Sequence, residues 1–264
     1  MIIIAERINA SRKSIAAAIS AGDAAFIQNE ARIQDLAGAD YIDVNAGTFV
    51  GEEIEKLKWV IAAVQEVTEK PLCLDSPDPK VIRAAALLVK NTPMINSITL
   101  EPERFEGILP IAADRKAKLI ALCQSEDAMA ESADDKVRLA EKLVEKVSAA
   151  GIPPDDLFID PLVYPLSTNT RSAVATLRAI ERIMTAFPGI HTTCGLTNVS
   201  YGLPARKLVN RTFLTAAILH GLDSAIMDPT DRQLYGALKA ALAVSGRDDF
   251  CMGLIGAFRE GKLE

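Results

Sequence analysis

Histidine is scarce in this chain. There are two in 264 residues, His191 and His220, and four cysteines: Cys73, Cys123, Cys194 and Cys251. The cysteines lie far apart and form no CxxC pair. Three fall inside apolar runs, where a free thiol behaves as a small buried hydrophobe. His191 opens a strand-like run, and His220 closes a helical stretch just before Gly221, an ordinary helix-terminal arrangement. A Cys/His zinc site is therefore not expected. Basic residues are not in excess either: 29 Lys and Arg stand against 35 Asp and Glu, a net charge of −6. Duplex affinity is largely phosphate neutralisation, so nucleic acid is excluded as the expected partner. No apolar run approaches a membrane span. The opening run Met1–Ala5 is too short for a signal-peptide core, and Glu6 interrupts it. These absences predict a soluble, cytoplasmic protein. A GxGxxG after the first strand is missing too, which disfavours a doubly wound dinucleotide fold.

What the chain does have is a repeated unit. Hydrophobic residues make up 49%, and eight short apolar runs end in a polar residue. They are Ile2–Arg7, Tyr41–Asn45, Leu72–Ser76, Met94–Ser97, Leu119–Cys123, Leu157–Pro161, Thr193–Asn198 and Ser224–Asp228. Continuous apolar runs read as strands buried on both faces. Helical stretches are predicted at about 11–37, 52–68, 79–90, 102–116, 132–150, 170–187, 207–220 and 231–245. Ser132 before Asp134-Asp135 and Pro102 after Glu101 mark helix starts. Gly38, Gly151, Gly189 and Gly221 follow helical stretches, as terminating glycines do. Residues 248–264 read as a short terminal helix or tail. Strand–helix alternation implies a parallel sheet with right-handed crossovers. The fold class predicted is α/β, a single (β/α)8 TIM barrel over residues 1–264, near the roughly 250 residues typical of that fold.

A parallel barrel gathers its downstream strand ends at one mouth, where such enzymes keep their chemistry. Those ends carry Glu6, Arg7, Asn9, Asp43, Asn45, Asp75, Asn96, Asp160, Asn198 and Asp228. Asp43 and Asn45 are two apart and share one face of their strand. Carboxylates buried there need donors. Phosphate would be repelled by them, and the loops after the last two strands form no glycine-rich cradle. A hard metal such as Mg²⁺ suits carboxylates. So does a pterin, whose amino group beside a ring N–H gives a carboxylate two parallel donors. Amides serve ring atoms that alternate donor and acceptor. Asp78 is the better cap for the helix after Asp75, which leaves Asp75 unengaged. Asp228-Pro229 and Asn45-Ala46-Gly47 read equally as plain turns.

Glu6-Arg7-Ile8-Asn9, Asp43-Val44-Asn45-Ala46-Gly47, Leu74-Asp75-Ser76, Met94-Ile95-Asn96-Ser97, Asp160-Pro161-Leu162, Gly195-Leu196-Thr197-Asn198-Val199-Ser200 and Asn210-Arg211-Thr212-Phe213-Leu214 resemble the pterin-binding methyltransferases over nearly the whole chain. Within these, the chain is most similar to the methyltetrahydrofolate:corrinoid protein methyltransferases, with the folate domain of cobalamin-dependent methionine synthase further off. The resemblance implies a methyltransferase acting between N5 of tetrahydrofolate and the cobalt of a corrinoid carried by a partner protein, with no bound metal of its own. It implies Asp75, Asn96 and Asp160 around the pterin, with Asp43 and Asn45 beside them. Asn198 is implied as the mobile amide near N5, and Arg206 as lying near the outer part of the folate. Catalysis would rest on Asn198, Asp160 and Asp75. A homodimer is implied as well. Tyr201 departs from the glutamine expected at that place in the acetogen enzymes. Dihydropteroate synthase shares the pocket, but its Ser-Thr-Arg-Pro-Gly run is replaced here by Thr48-Phe49-Val50-Gly51-Glu52. It ranks second, and a non-catalytic folate-binding protein remains the rival from another class.

Overall fold

The computed structural model describes residues 1–126 and 130–263. Eight strands form one parallel sheet: β1 (Ile2–Asn9), β2 (Tyr41–Asn45), β3 (Leu72–Asp75), β4 (Met94–Ile98), β5 (Lys118–Leu122), β6 (Leu157–Asp160), β7 (His191–Thr192) and β8 (Ser224–Met227). Their order is β7-β6-β5-β4-β3-β2-β1-β8. The seam between β7 and β8 closes through a parallel bridge from Gly195 to Ile226, with Ile226 N–H donating to Cys194 O at 3.0 Å. Side chains reinforce this seam. Asp223 accepts from Thr192 N–H at 2.9 Å and meets His191 Nδ1 at 2.6 Å, and Ser224 Oγ donates to Thr192 O. The expected barrel is thus present.

The helices are α1 (Lys13–Ala21), α2 (Ala24–Leu36), α3 (Glu53–Gln65), α4 (Pro79–Ala86), α5 (Pro102–Arg115), α6 (Ala133–Ala149), α7 (Ser172–Ala186), α8 (Arg206–Leu219), α9 (Arg232–Val244) and α10 (Met252–Arg259). The caps follow from local chemistry. Asp78 accepts from Lys80 N–H at 2.8 Å, Ser132 from Asp135 N–H at 3.1 Å, and Asp231 from Leu234 N–H at 3.1 Å.

Two expectations are corrected. The first helix is not continuous over 11–37. Gly22 takes φ +66°, which ends α1, and Asp23 accepts from Phe26 N–H to start α2. The seventh strand is not 193–198. The regular strand is His191–Thr192, and Leu196–Ser200 winds into a 3₁₀ turn with Asn198 N–H donating to Gly195 O. The 248–264 segment, expected as a short terminal helix or tail, holds the helix α10, whose first turn donates the Gly253 and Leu254 N–H groups to Asp248.

Candidate active site

The two-residue period of a strand decides what faces the barrel axis. Ile4, Cys73, Met94, Ile120 and Phe158 pack together inside the barrel as an apolar plug, with Tyr41 and Ile226 against it. Two residues further along each strand stand Glu6, Asp75, Asn96, Leu122, Asp160, Asp43 and Asp228 in turn. The acidic ends therefore stand directly above an apolar floor, all at the C-terminal ends of parallel strands. The mouth above them is a cavity of about 790 Å³, with Glu6, Asp43, Asp75, Asn96, Arg206 and Asp228 among its walls.

Burial on that floor sets the protonation chemistry. Asp43 is 2% exposed. Burial, and then the negative charge of Asp75, raises it well above the usual carboxylate range. It accepts from Cys73 and, at 3.5 Å, from Asn96 Nδ2. Asp75 is also raised by burial, opposed by its bond from Asn45 and by the charge of Arg104. Asn45 Nδ2 donates to Asp75 Oδ2 at 2.9 Å, while Asn45 Oδ1 accepts from Gly47 N–H at 2.9 Å. The turn reading and the site reading of Asn45 thus hold together. Arg104 is anchored on Ser97, through both its carbonyl and its hydroxyl. The Glu6 carboxyl makes no hydrogen bond among the described residues, and burial, then Asp228, pushes it up to about 7.

Asp160 forms a second group. It is 5% exposed and is pushed up to about 6 by burial, against hydrogen bonds from the amides of Leu162 and Gly195 and the charge of Lys136. Asn198 is exposed on the 3₁₀ turn, and its side chain makes no hydrogen bond among the described residues. A Cβ on Gly195 would come within 3.0 Å of Asn198 Nδ2, so glycine there gives the amide its space.

Not every residue expected at the mouth is unengaged. Asp228 accepts from Thr230 and pairs with Arg7 Nη1 at 2.9 Å. Arg7 is bidentate to Glu30 at 2.7 and 3.1 Å, so this cation is spent on structure. Asn9 Oδ1 accepts from Ser11 N–H. Arg206 lines the mouth and also donates to Ser200 Oγ and to Thr197 O, on either side of Asn198. Asp160, Asn45 and Asn198 are not on the walls of the main cavity. Sequence reasoning gave no site role to Lys136, Arg12, Lys207 or Asn210. The last three line the mouth, and Asn210 Oδ1 is buried without a partner among the described residues. Lys136 did leave a signal. It lies three, four, seven and eleven residues before Leu139, Ala140, Leu143 and Val147, on the buried stripe of α6. Among the described residues no group of three His, Cys, Asp or Glu side chains is arranged to hold a metal.

A parallel barrel with buried acids and amides at its mouth has a match among known families. The family described as "Pterin binding enzyme" matches residues 5–228, from the first strand to the end of the last. The chain belongs to this family. Within reach of it, the chain is 41% identical to a methylcorrinoid:tetrahydrofolate methyltransferase from Eubacterium limosum, covering 100% of this chain and 98% of that one. It is 29% identical to a methionine synthase from Mycobacterium tuberculosis over 86% of its length, but spans 20% of that longer protein. Dihydropteroate synthases share the architecture. The Xanthomonas albilineans enzyme in complex with 4-aminobenzoic acid superposes with a TM-score of 0.68 at 21% identity, covering 92% of this chain and 90% of that one. The Thermus thermophilus enzyme, in complex with 6HMPPP, gives 0.68 at 20%, covering 92% of each. At such identities they speak for the fold of the family alone.

Proposed function

We propose that this chain, acting as one pterin-binding barrel over residues 1–264, is a methyltransferase. It moves a methyl group between N5 of tetrahydrofolate and the cobalt of a corrinoid carried by a separate protein. The observation that carries this reading is a ring of buried carboxyls and amides above an apolar floor, in a chain 41% identical over its full length to the Eubacterium limosum enzyme. A pterin is flat, which suits the floor, and its donor edge answers the unmet acceptors. Asp75, Asn96 and Asp160 hold the ring, and Asp43 and Asn45 orient Asp75 and Asn96. Arg206 lies toward the outer part of the folate.

The amine at N5 is a poor leaving group, so it needs a proton or a strong hydrogen bond as the C–N bond breaks. Asn198 holds no proton to give, but its amide oxygen accepts a hydrogen bond from N5 as N5 becomes protonated. Asp160 and Glu6, at about 6 and about 7, exchange protons near neutral pH. General acid help of this kind contributes about 10²–10⁴-fold. A corrinoid cobalt supplies the methyl acceptor or donor when the partner docks. The ring of Asp75, Asn96 and Asp160 fixes N5 for that meeting, where proximity lowers the barrier.

The protein works in the cytoplasm as a homodimer. No helix among the described residues is long and apolar enough to cross a membrane. Tetrahydrofolate binding is expected to be the same with and without a chelator. Titration calorimetry in excess EDTA measures this, and light scattering on the same preparation should read two chains per particle. Binding that needs added Mg²⁺ would contradict the pterin reading of the carboxyls, and single chains would contradict the dimer.

A further inference from the structure

Lys136 is buried completely. An ammonium removed from water is costly unless it is well bonded. Here its bonds go to backbone rather than to a carboxylate. Nζ donates to Pro161 O at 2.6 Å and to Leu162 O at 2.7 Å, and it lies 4.7 Å from the centre of the Tyr164 ring. Both carbonyls belong to the turn that leaves β6. Leu162 has φ +59°, a left-handed backbone that a residue with a Cβ adopts only under strain. That turn brings the Leu162 N–H back to Asp160 Oδ1 at 2.7 Å. Thr176 Oγ1, on α7, adds a third donor to Leu162 O at 3.1 Å. The bonds run in series: ammonium to carbonyl, through one residue, to amide and carboxylate.

We propose that Lys136 is a positioning residue for Asp160: it clamps the Pro161–Leu162 turn so that the Leu162 amide holds the carboxylate facing the pterin. The pterin half of this statement rests on the methyltransferase reading above. The groups facing Asp160 are the Leu162 and Gly195 amides, the Lys136 ammonium, the Cys123 and Cys194 thiols and the Tyr164 phenol. Among them Lys136 is the cation. Burial drives Lys136 down to about 8, and Cys123 and Asp160 oppose this. Around pH 7 the ammonium and a growing fraction of carboxylate therefore coexist. Removing the ammonium takes away an attractive charge and loosens the amide, and both changes disfavour the ionised Asp160.

The test has a ligand-free arm and a ligand arm. Carboxyl ¹³C NMR on aspartate-labelled protein, with Asp160 assigned through D160N, follows its titration directly. K136M is expected to move the Asp160 midpoint up by at least about one pH unit. K136R should stay near the wild type. K136Q, which still donates to the carbonyls without the charge, should fall between and serves if K136M does not fold. Tetrahydrofolate affinity should fall with falling pH, at a midpoint displaced upward in the same order. An unchanged Asp160 midpoint in K136M and K136Q, or a K136R shift as large as theirs, would overturn the proposal. A wild-type protein that binds no folate, with the NMR shifts present, would defeat the methyltransferase reading and leave the clamp standing.

Discussion

Asp75→Ala and Asp160→Ala should each weaken tetrahydrofolate binding by about 10–100-fold. Each removes an acceptor from a buried donor edge, and an unsatisfied buried donor costs roughly 1–3 kcal/mol, about tenfold in affinity for every 1.4 kcal/mol. Asn45→Ala should have a smaller effect, because it frees the Asp75 carboxylate without removing it. Stability should move differently. Asp160 is held at about 6 and Glu6 at about 7, both above their ordinary values. A carboxyl whose folded value is raised binds more protons folded than unfolded. Its favourable contribution is present at low pH and is lost as pH rises, here between about 4 and 7. At neutral pH these groups burden the free protein, as ligand sites commonly do. The alanine variants should therefore keep their melting temperature, or raise it, while losing the ligand. Calorimetry beside thermal denaturation separates the two effects, and unchanged folate affinity in both variants would reject the pterin site.

Asn198→Ala should lower kcat and kcat/KM together by about 10²-fold, the scale of losing one hydrogen-bonding group aimed at developing charge, with little change in folate affinity. A bond that strengthens only as N5 gains positive character acts on the transition state and not on ground-state binding. The alternative is that Asn198 merely caps its loop. Its exposed side chain makes no hydrogen bond among the described residues, so the variant should melt like the wild type. Single-turnover methyl transfer and melting temperature on one preparation decide this. A destabilised variant with full per-molecule rate would refute the catalytic role. Gly195→Ala should mimic the defect in part, because its new methyl would press on the Asn198 amide.

Much of this was legible in the sequence, because the barrel mouth is written by a local rule. Each apolar run ends in a polar residue, and a period of two sets Asp75 above Cys73 and Asp160 above Phe158. Asp78 as the cap of α4 was readable and is realised, but Asp75 is engaged by Asn45, whose amide donates to its carboxylate. What stayed hidden depends on partners distant in sequence. Arg7 does line the mouth, but Glu30 on α2 and Asp228 just past β8 hold its guanidinium. The seventh strand was displaced because barrel closure decides its pairing. Ile226 takes the Cys194 carbonyl, and the chain beyond turns away. The break at Gly22-Asp23 was a local signal passed over inside an otherwise helical stretch. Lys136 on a buried stripe was another, since a lysine on such a face declares a partner without naming it.

The central claim is methyl exchange between a pterin and a corrinoid, and one spectrophotometric measurement addresses it. The purified protein is mixed anaerobically with methyltetrahydrofolate and reduced cobalamin, and in the reverse direction with methylcobalamin and tetrahydrofolate, while the cobalamin spectrum is followed. The account predicts that methylcobalamin appears in the first mixture and is consumed in the second, at rates proportional to the protein and sharply reduced in Asn198→Ala. No turnover in either direction, with condensation of a dihydropterin pyrophosphate and aminobenzoate in its place, would contradict it and make the chain a dihydropteroate synthase.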